Sequence, residues 1–396
     1  MEKPNVLFLT TRDPWLPPKG GTSTFAKQML HVFHQRLAII SASEDETVPI
    51  GQWHLRDYNG KPVYYYCLGN HETKNFHRLP FIPRRIVFRR LVGKHIGRFR
   101  EIGIADLFTD SPESLDILKN FQWDHFCFSL AGLNNPVSFS RYRLLRWLGS
   151  LAKRSTVSSL LKLNPDVLLA AADHEAIQEF LARIKHRLPA EKFVSFPTRV
   201  NTEVFYPSRI ETEKQSLGLR GFPHFVVIGR LHWIKGWDLL LESLKILVDK
   251  FPTVRLTFVG DGEDRQKILA KAREMQIEQH IVITGLVPPS QVRVYIGSAD
   301  LCLMASHREG WSNTMIEVLA CGKAIVSTNV SGAKTMVQDG LNGYVVSSRH
   351  PVEYAGAIEK ALLLPLEFND TSLRLAQKYA VDTLAEELGR LWKPLS

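Results

Sequence analysis

The sequence predicts an α/β protein of two domains, each a parallel sheet wound by helices, and three observations carry that prediction. In the second half, short runs of Val, Ile, Leu and Phe alternate with amphipathic stretches. The first half opens with the same order of strand, loop, helix and strand. Between the halves, prolines interrupt the periodicity at residues 195–209, SFPTRVNTEVFYPSR. The 396 residues, 44% of them hydrophobic, suit a globular protein of two domains or more.

In order along the chain, NVLFLTT (5–11) reads as a buried strand and PWLPPKGG (14–21) as a glycine-containing loop. STFAKQMLHVF (23–33) reads as an amphipathic helix and LAIISA (37–42) as a second buried strand. Residues 45–85, rich in Pro, Tyr, His and Asn, give no readable order of elements. PDVLLAAAD (165–173) restores a strand, followed by a helix over HEAIQEFLARIKH (174–186). The second half pairs HFVVIGR with WDLLLESLKILVDKF, VRLTFVGDG with EDRQKILAKAREMQ, HIVITG with SQVRVYIGSA, and DLCLMAS with SNTMIEVLACG. Apolar runs without polar alternation suit strands buried on both faces, hence parallel sheets with right-handed crossovers. Two such Rossmann-like domains facing one another make a cleft, with ligands at the carboxyl ends of the strands.

Composition excludes several classes. Four scattered cysteines without C-x-x-C spacing argue against a structural zinc site or a disulfide framework. The apolar run near the N-terminus is too early and too short for a signal peptide, and no run reaches about 18 apolar residues. A cytoplasmic protein without a membrane span is the expectation. The net charge of +10 sits in the first half: residues 1–200 hold 28 Lys and Arg against 18 Asp and Glu, and residues 201–396 hold 22 of each.

Three features fall at predicted strand ends of the second domain: GRLHWIKG (229–236), GDGED (260–264) and REGWSN (308–313). Arg230 and Lys235, two cations on one loop, suit a diphosphate. Ser312 and Asn313 open a helix just after Gly310, so free N–H groups and the positive end of the helix dipole face the same edge. Glu309 stands at the mouth of this loop and Glu317 about a turn and a half into the helix. One carboxylate can accept from the hydroxyls of a sugar and the other from a ribose.

Together GRLHWIKGWDLL, VGDGE, EGWSNTMIEVLACGKAIV and DGLNGYVV resemble the retaining glycosyltransferases of GT-B fold in the large family marked by a Glu-x7-Glu element, here Glu309 and Glu317. The resemblance is strong over residues 195–346 and weaker at GGTSTFAKQML and AQKYAVDTLAEELGRLW. It implies an acceptor-binding domain over 1–200, a donor-binding domain over 201–375, and a helix over 376–396 that packs back on the first domain. Arg230 and Lys235 would bind the donor diphosphate, Glu309 the sugar hydroxyls and Glu317 the ribose. Backbone from Gly310 through Ser312, Asn313 and Thr314 to Met315 would hold phosphate and sugar, with Gly20 and Gly21 closing over the diphosphate. Where relatives often carry a histidine on a segment resembling DLFTDSP, this chain has Asp110; His125 is a second candidate for a part in the reaction.

The co-substrate implied is a UDP- or GDP-linked sugar, with no other cofactor, and the acceptor a glycan or a lipid-linked glycan of polysaccharide, lipopolysaccharide or glycolipid assembly. No Asp-x-Asp occurs in the chain, so no metal is indicated, and Arg230 with Lys235 can take its place. A non-catalytic nucleotide-sugar or glycan binding subunit and a nucleotide-sugar epimerase on the same fold are the alternatives.

Residues 78–100, RLPFIPRRIVFRRLVGKHIGRFR, hold eight Lys or Arg and no acid. On a helical wheel Phe88, Leu91, Val92, Ile96 and Phe99 fall on one side, and Arg85, Arg89, Arg90 and Lys94 largely on the other. With the basic stretch 140–154, this suggests attraction to an anionic membrane surface on its inner face. No nucleic-acid module is readable, and nucleic acid is not expected as a partner.

Overall fold

A computed structural model describes residues 3–17, 20–70, 84–130 and 156–396. The chain divides into two units, Met1–Thr198 with Asp382–Ser396, and Arg199–Val381. The returning tail therefore starts at Asp382 rather than at residue 376, and helix Asp370–Lys378 belongs to the second unit.

The first unit holds eight strands: β1 (Val6–Leu9), β2 (Leu37–Ser43), β3 (Trp53–Tyr58), β4 (Lys61–Asn70), β5 (Asp106–Thr109), β6 (Phe126–Leu130), β7 (Val167–Ala170) and β8 (Phe193–Ser195). They form one sheet in the order β3-β4-β2-β1-β5-β6-β7-β8, parallel except for β3, which runs against β4. The hairpin lies in the stretch where the sequence shows no readable order. Its turn is Asn59–Gly60 with φ of 53° and 76°, the conformation for which Asn-Gly is favoured. In β4, Tyr65 and Tyr66 are both fully buried, one on each face, so tyrosine rings fill its core positions.

Each face of this sheet carries its own core. On one, helix Gly21–Phe33 and the tail helix Leu384–Leu391 pack against Val6, Phe8 and Phe108, and Trp392 donates its Nε1–H to Asp166 at 3.3 Å. On the other, helix Arg84–His95 buries Phe88 and Val92, and the turn Ile96–Ile102 buries Ile96 and Phe99. The apolar stripe of the basic helix is thus taken up by the unit's own sheet, with Leu91 packed beside it. Arg89 and Arg90 are exposed, and Arg89 pairs with Asp116. Residues 78–83 and the basic stretch 140–154 lie outside the described residues.

The second unit holds β9 (His224–Ile228), β10 (Arg255–Val259), β11 (Ile281–Ile283), β12 (Leu301–Met304), β13 (Ile325–Thr328) and β14 (Gly343–Val346). All six are parallel, in the order β11-β10-β9-β12-β13-β14. Helices Trp237–Lys250 and Pro351–Ala361 supply much of its core through Leu240, Leu244, Leu247, Tyr354 and Ile358. Among the described residues no helix is long and apolar enough to cross a membrane.

Because Phe88 is a core residue, Phe88→Ala costs about 3–5 kcal/mol and Arg90→Ala on the exposed side stays within about 0.5 kcal/mol. Urea titrations of the two variants check this; equal small effects would mean that the helix is not held by its apolar stripe.

Candidate functional site

In both sheets the chain builds outward from one strand and then returns to build the other way, and the loops after the two strands at that reversal open a crevice at their carboxyl ends. In the second unit the reversal lies between β9 and β12. The loop after β9 ends in the turn Trp233–Lys235, and that after β12 runs from Ala305 to Ser312. Their backbones are joined directly, the His307 N–H donating to the Ile234 carbonyl at 2.8 Å. Gly236 closes the first loop at φ 66°, and a Cβ on it would stand 1.9 Å from the Ala305 carbonyl oxygen. Only glycine allows that approach.

This contact brings Lys235 and Glu309 together. Lys235 Nζ donates to Glu309 Oε1 at 2.6 Å, and the Ser306 hydroxyl donates to the same oxygen at 2.6 Å. The two side chains are 29% and 14% exposed. Ser306 is fixed in turn, its carbonyl accepting from Thr328 Oγ1 at 2.7 Å, while Arg349 donates to the Ala305 carbonyl at 2.7 Å. Arg230 lies on the same loop, exposed and without an ion-pair partner among the described residues. A concavity lined by Gly229, Arg230, Leu231, His232, Lys235 and Trp237 opens there.

Ser312 caps helix Asn313–Ala320, its hydroxyl accepting the Met315 N–H at 3.4 Å. The Met315 side chain is fully buried, which leaves only its backbone for a contact, and its N–H is already engaged by Ser312; Gly310, Asn313 and Thr314 are less deeply buried. Glu317, further along this helix, is part-buried by area, and its carboxylate has no protein partner among the described residues. Burial without a compensating donor pushes its pKa up to about 7.

In the first unit the reversal lies between β1 and β5. Thr10 and Asp110, the residues after these strands, meet across it, Thr10 Oγ1 donating to Asp110 Oδ2 at 3.0 Å. Asp110 is 6% exposed, and its Oδ1 is buried with no hydrogen-bond partner among the described residues. Burial raises its pKa to about 7, the Thr10 hydroxyl pulling it back only partway. Gly20 and Gly21 follow on the loop from β1 into helix Gly21–Phe33, with open space where a Gly20 side chain would stand. That loop is anchored by Asp13, which accepts from Ser43 at 2.7 Å and from Arg56 at 3.1 Å, and Arg56 lies over Trp15.

His125 does not join these groups. It precedes β6 and bonds Asp106 at 2.8 Å, at the amino ends of β6 and β5, whereas Asp110 follows the carboxyl end of β5. In a parallel sheet those are opposite edges, about 13 Å apart over four residues. Sequence reasoning also treats Lys235 and Glu309 as separate ligand contacts, and the structure joins them. It misses Thr10, Ser306 and Arg349; the polar ending of the runs NVLFLT and DLCLMAS is the signal for the first two.

A family model described as glycosyl transferases group 1 matches residues 209–379. The D-inositol 3-phosphate glycosyltransferase of Segniliparus rotundus is 29% identical over 180 residues, 44% of this chain and 40% of that protein. An uncharacterized glycosyltransferase of Haemophilus influenzae is 25% identical over 281 residues, 70% of this chain and 69% of that one. The matched part thus spans about two-fifths of the Segniliparus protein and somewhat over two-thirds of the Haemophilus one. Two solved structures align over 98% of each chain: sucrose-phosphate synthase of Thermosynechococcus elongatus (TM-score 0.78, 17% identity) and Anabaena HepE in complex with UDP and glucose (TM-score 0.72, 16% identity). The fold is that of the GT-B glycosyltransferases. Residues 209–379 are a group 1 glycosyltransferase domain, and the site around Lys235 and Glu309 lies within it.

Two carboxyls raised to about 7 give a signed prediction. Each binds its proton more tightly in the folded than in the unfolded chain, so each favours folding at low pH and loses that contribution as pH rises through its folded pKa. Asp110→Asn and Glu317→Gln are therefore expected to raise stability at pH 8, by about 1–3 kcal/mol each, and to have little effect at pH 4–5. Thermal unfolding at the two pH values checks this; a loss of stability at pH 8 would show that the charged forms are compensated.

Proposed function

We propose that this chain transfers a glycosyl group from a UDP- or GDP-linked sugar to a hydroxyl of a glycan or lipid-linked acceptor, without a metal and with retention at the transferred carbon, in polysaccharide, lipopolysaccharide or glycolipid assembly. The observation that carries the reading is the Lys235–Glu309 pair at the crevice of the second unit, beside an exposed Arg230 and a helix N-terminus. HepE was solved in complex with UDP and glucose, and the relatives similar in sequence are named as glycosyltransferases.

The chemistry follows from the charges. As the bond from the sugar's anomeric carbon to the diphosphate breaks, negative charge grows on the leaving oxygen, and Arg230 and Lys235 stabilise it. The acceptor oxygen forms the new bond, and its proton passes to the departing phosphate. In the empty site Lys235 is held by Glu309, and in this reading the greater charge of a diphosphate draws the ammonium over on donor entry, so partners exchange: the ammonium turns to phosphate and Glu309 becomes free for sugar hydroxyls. Glu317 accepts from the ribose. In the first unit, Asp110 and the Gly20–Gly21 loop are the groups at that unit's own crevice that this reading assigns to ligand contact. Adsorption to an anionic membrane would rest on the basic face alone, and vesicle co-sedimentation would vanish at about 1 M salt.

The exchange predicts opposite effects on binding and turnover. Glu309→Gln frees Lys235 and is expected to bind UDP or GDP about fivefold more tightly, yet to lose turnover by about 100-fold. Calorimetric titration with UDP, GDP and ADP, with a thermal-shift series on the same nucleotides, provides the test. The donor reading fails if none of the three binds, and the exchange fails if a nucleotide binds but the variant binds it no better.

A further inference from the structure

Trp233 stands on the loop that ends in Lys235, and half of its surface is in water (50% exposed). Other exposed apolar residues, such as Leu286 and Leu363, lie singly on the surface and call for no explanation. Trp233 differs because it is the centre of a ring cluster, 5.4 Å from the His307 imidazole and 5.7 Å from that of His232. The cluster is rigid. His232 Nδ1 accepts the Ile234 N–H at 3.2 Å, Ile234 accepts from the His307 N–H at 2.8 Å, and Gly236 is locked against Ala305. The contact that places Lys235 against Glu309 therefore also places Trp233 against His307.

The polar groups around the indole narrow the ligand. His232 Nε2 bonds the Glu263 carboxylate at 3.0 Å, and the nearby ammonium of Lys235 is held by Glu309. Desolvation, helped by Arg349 and opposed by Asp238, holds the His307 pKa below its ordinary value. A π-face edged by the His307 imidazole and the Glu263 carboxylate suits a neutral pyranose: C–H bonds on its apolar face lie on the electron-rich ring, and its hydroxyls find acceptors at the rim, while both His232 nitrogens are already engaged and serve to hold the rim in place.

We propose that Trp233, with His307 and His232, forms a carbohydrate-stacking subsite that takes a neutral pyranose ring of the acceptor beside the donor site. The proposal rests on the donor-site reading and assigns this cluster a substrate contact. It makes Trp233 a determinant of acceptor specificity and leaves nucleotide affinity to Arg230, Lys235 and Glu317.

Fluorine NMR on protein labelled with 5-fluorotryptophan tests it, the Trp233 resonance being the one missing from Trp233→Phe. UDP, GDP, UDP-glucose and GDP-mannose are added first, followed by methyl glucoside, methyl galactoside, methyl mannoside and N-acetylglucosamine with the tightest nucleotide present. The expected result is a saturable shift of the Trp233 signal by at least one saccharide, and an affinity roughly five- to tenfold weaker in His307→Ala. Nucleotide affinity is expected to be unchanged in Trp233→Phe and Trp233→Ala. No movement with any saccharide while a nucleotide binds overturns the subsite and leaves the donor reading standing. Full movement with UDP or GDP alone assigns the ring to the base, and movement with UDP-glucose or GDP-mannose but not with UDP or GDP assigns it to the donor's own sugar; either overturns the proposal. Failure of every nucleotide to bind defeats the donor reading itself.

Discussion

The backbone contact between the loops after β9 and β12 is the constraint on which the second unit's site depends. One hydrogen bond, His307 N–H to the Ile234 carbonyl, and one forbidden side chain, at Gly236, fix the separation of two loops that are some 70 residues apart in sequence. Lys235 follows Ile234 and Glu309 stands two residues after His307, and on the other side Trp233 precedes Ile234 and packs against His307 itself. A side chain at Gly236 would meet the Ala305 carbonyl and push the loops apart, and both pairs would open together. The glycine is thus tied to two chemically different sets of contacts without touching either.

Parallel strands explain why ionisable groups gather at one edge. Every strand of the second sheet points the same way, so its polar loop residues after β9, β10, β12 and β13 emerge together, and the reversal of strand order parts two of those loops. The first sheet repeats the arrangement with Thr10 and Asp110. In each unit a carboxyl near the reversal is buried beyond what its donors offset: Asp110 keeps an unpartnered oxygen and Glu317 has no protein partner among the described residues. Such groups lower the stability of the empty protein and are the ones a hydroxyl-rich ligand satisfies.

In the second unit β9 to β12 are legible in the sequence because they are uninterrupted apolar runs with a helix or amphipathic stretch close behind each, whereas β13, β14 and the helix Pro351–Ala361 are not singled out by that pattern. Residues 45–85 were not legible, because β4 is built on Tyr64, Tyr65 and Tyr66, which neither alternate nor read as aliphatic, although Asn59–Gly60 marked the hairpin. The basic helix shows the limit of a helical wheel: it identified Phe88 and Val92 as one face, but whether that face meets a sheet or a membrane is a tertiary fact. His125 failed for a related reason, since nearness in sequence to strand-end segments says nothing about which end of the sheet a residue occupies. The residue set Arg230, Lys235, Glu309 and Glu317 was visible from spacing; that two of them neutralise each other was not, because an ion pair across 74 positions is set by loop geometry.

That ion pair carries a consequence for selectivity. With Lys235 bound to it, Glu309 is a charge-compensated carboxylate, 14% exposed, whose Oε1 already takes the ammonium and the Ser306 hydroxyl at 2.6 Å. An ammonium–carboxylate hydrogen bond is roughly twice as strong as a neutral one, so a sugar hydroxyl gains less at this compensated carboxylate than at a bare one. A diphosphate changes the balance, because it offers Lys235 more negative charge than Glu309 does, with Arg230 adding to the attraction. Once the ammonium has moved, Glu309 keeps only the Ser306 hydroxyl among its present donors, and a part-buried carboxylate left so is costly. In the proposed reading sugar hydroxyls then relieve that cost, so a sugar attached to a diphosphate would be held better than a free one.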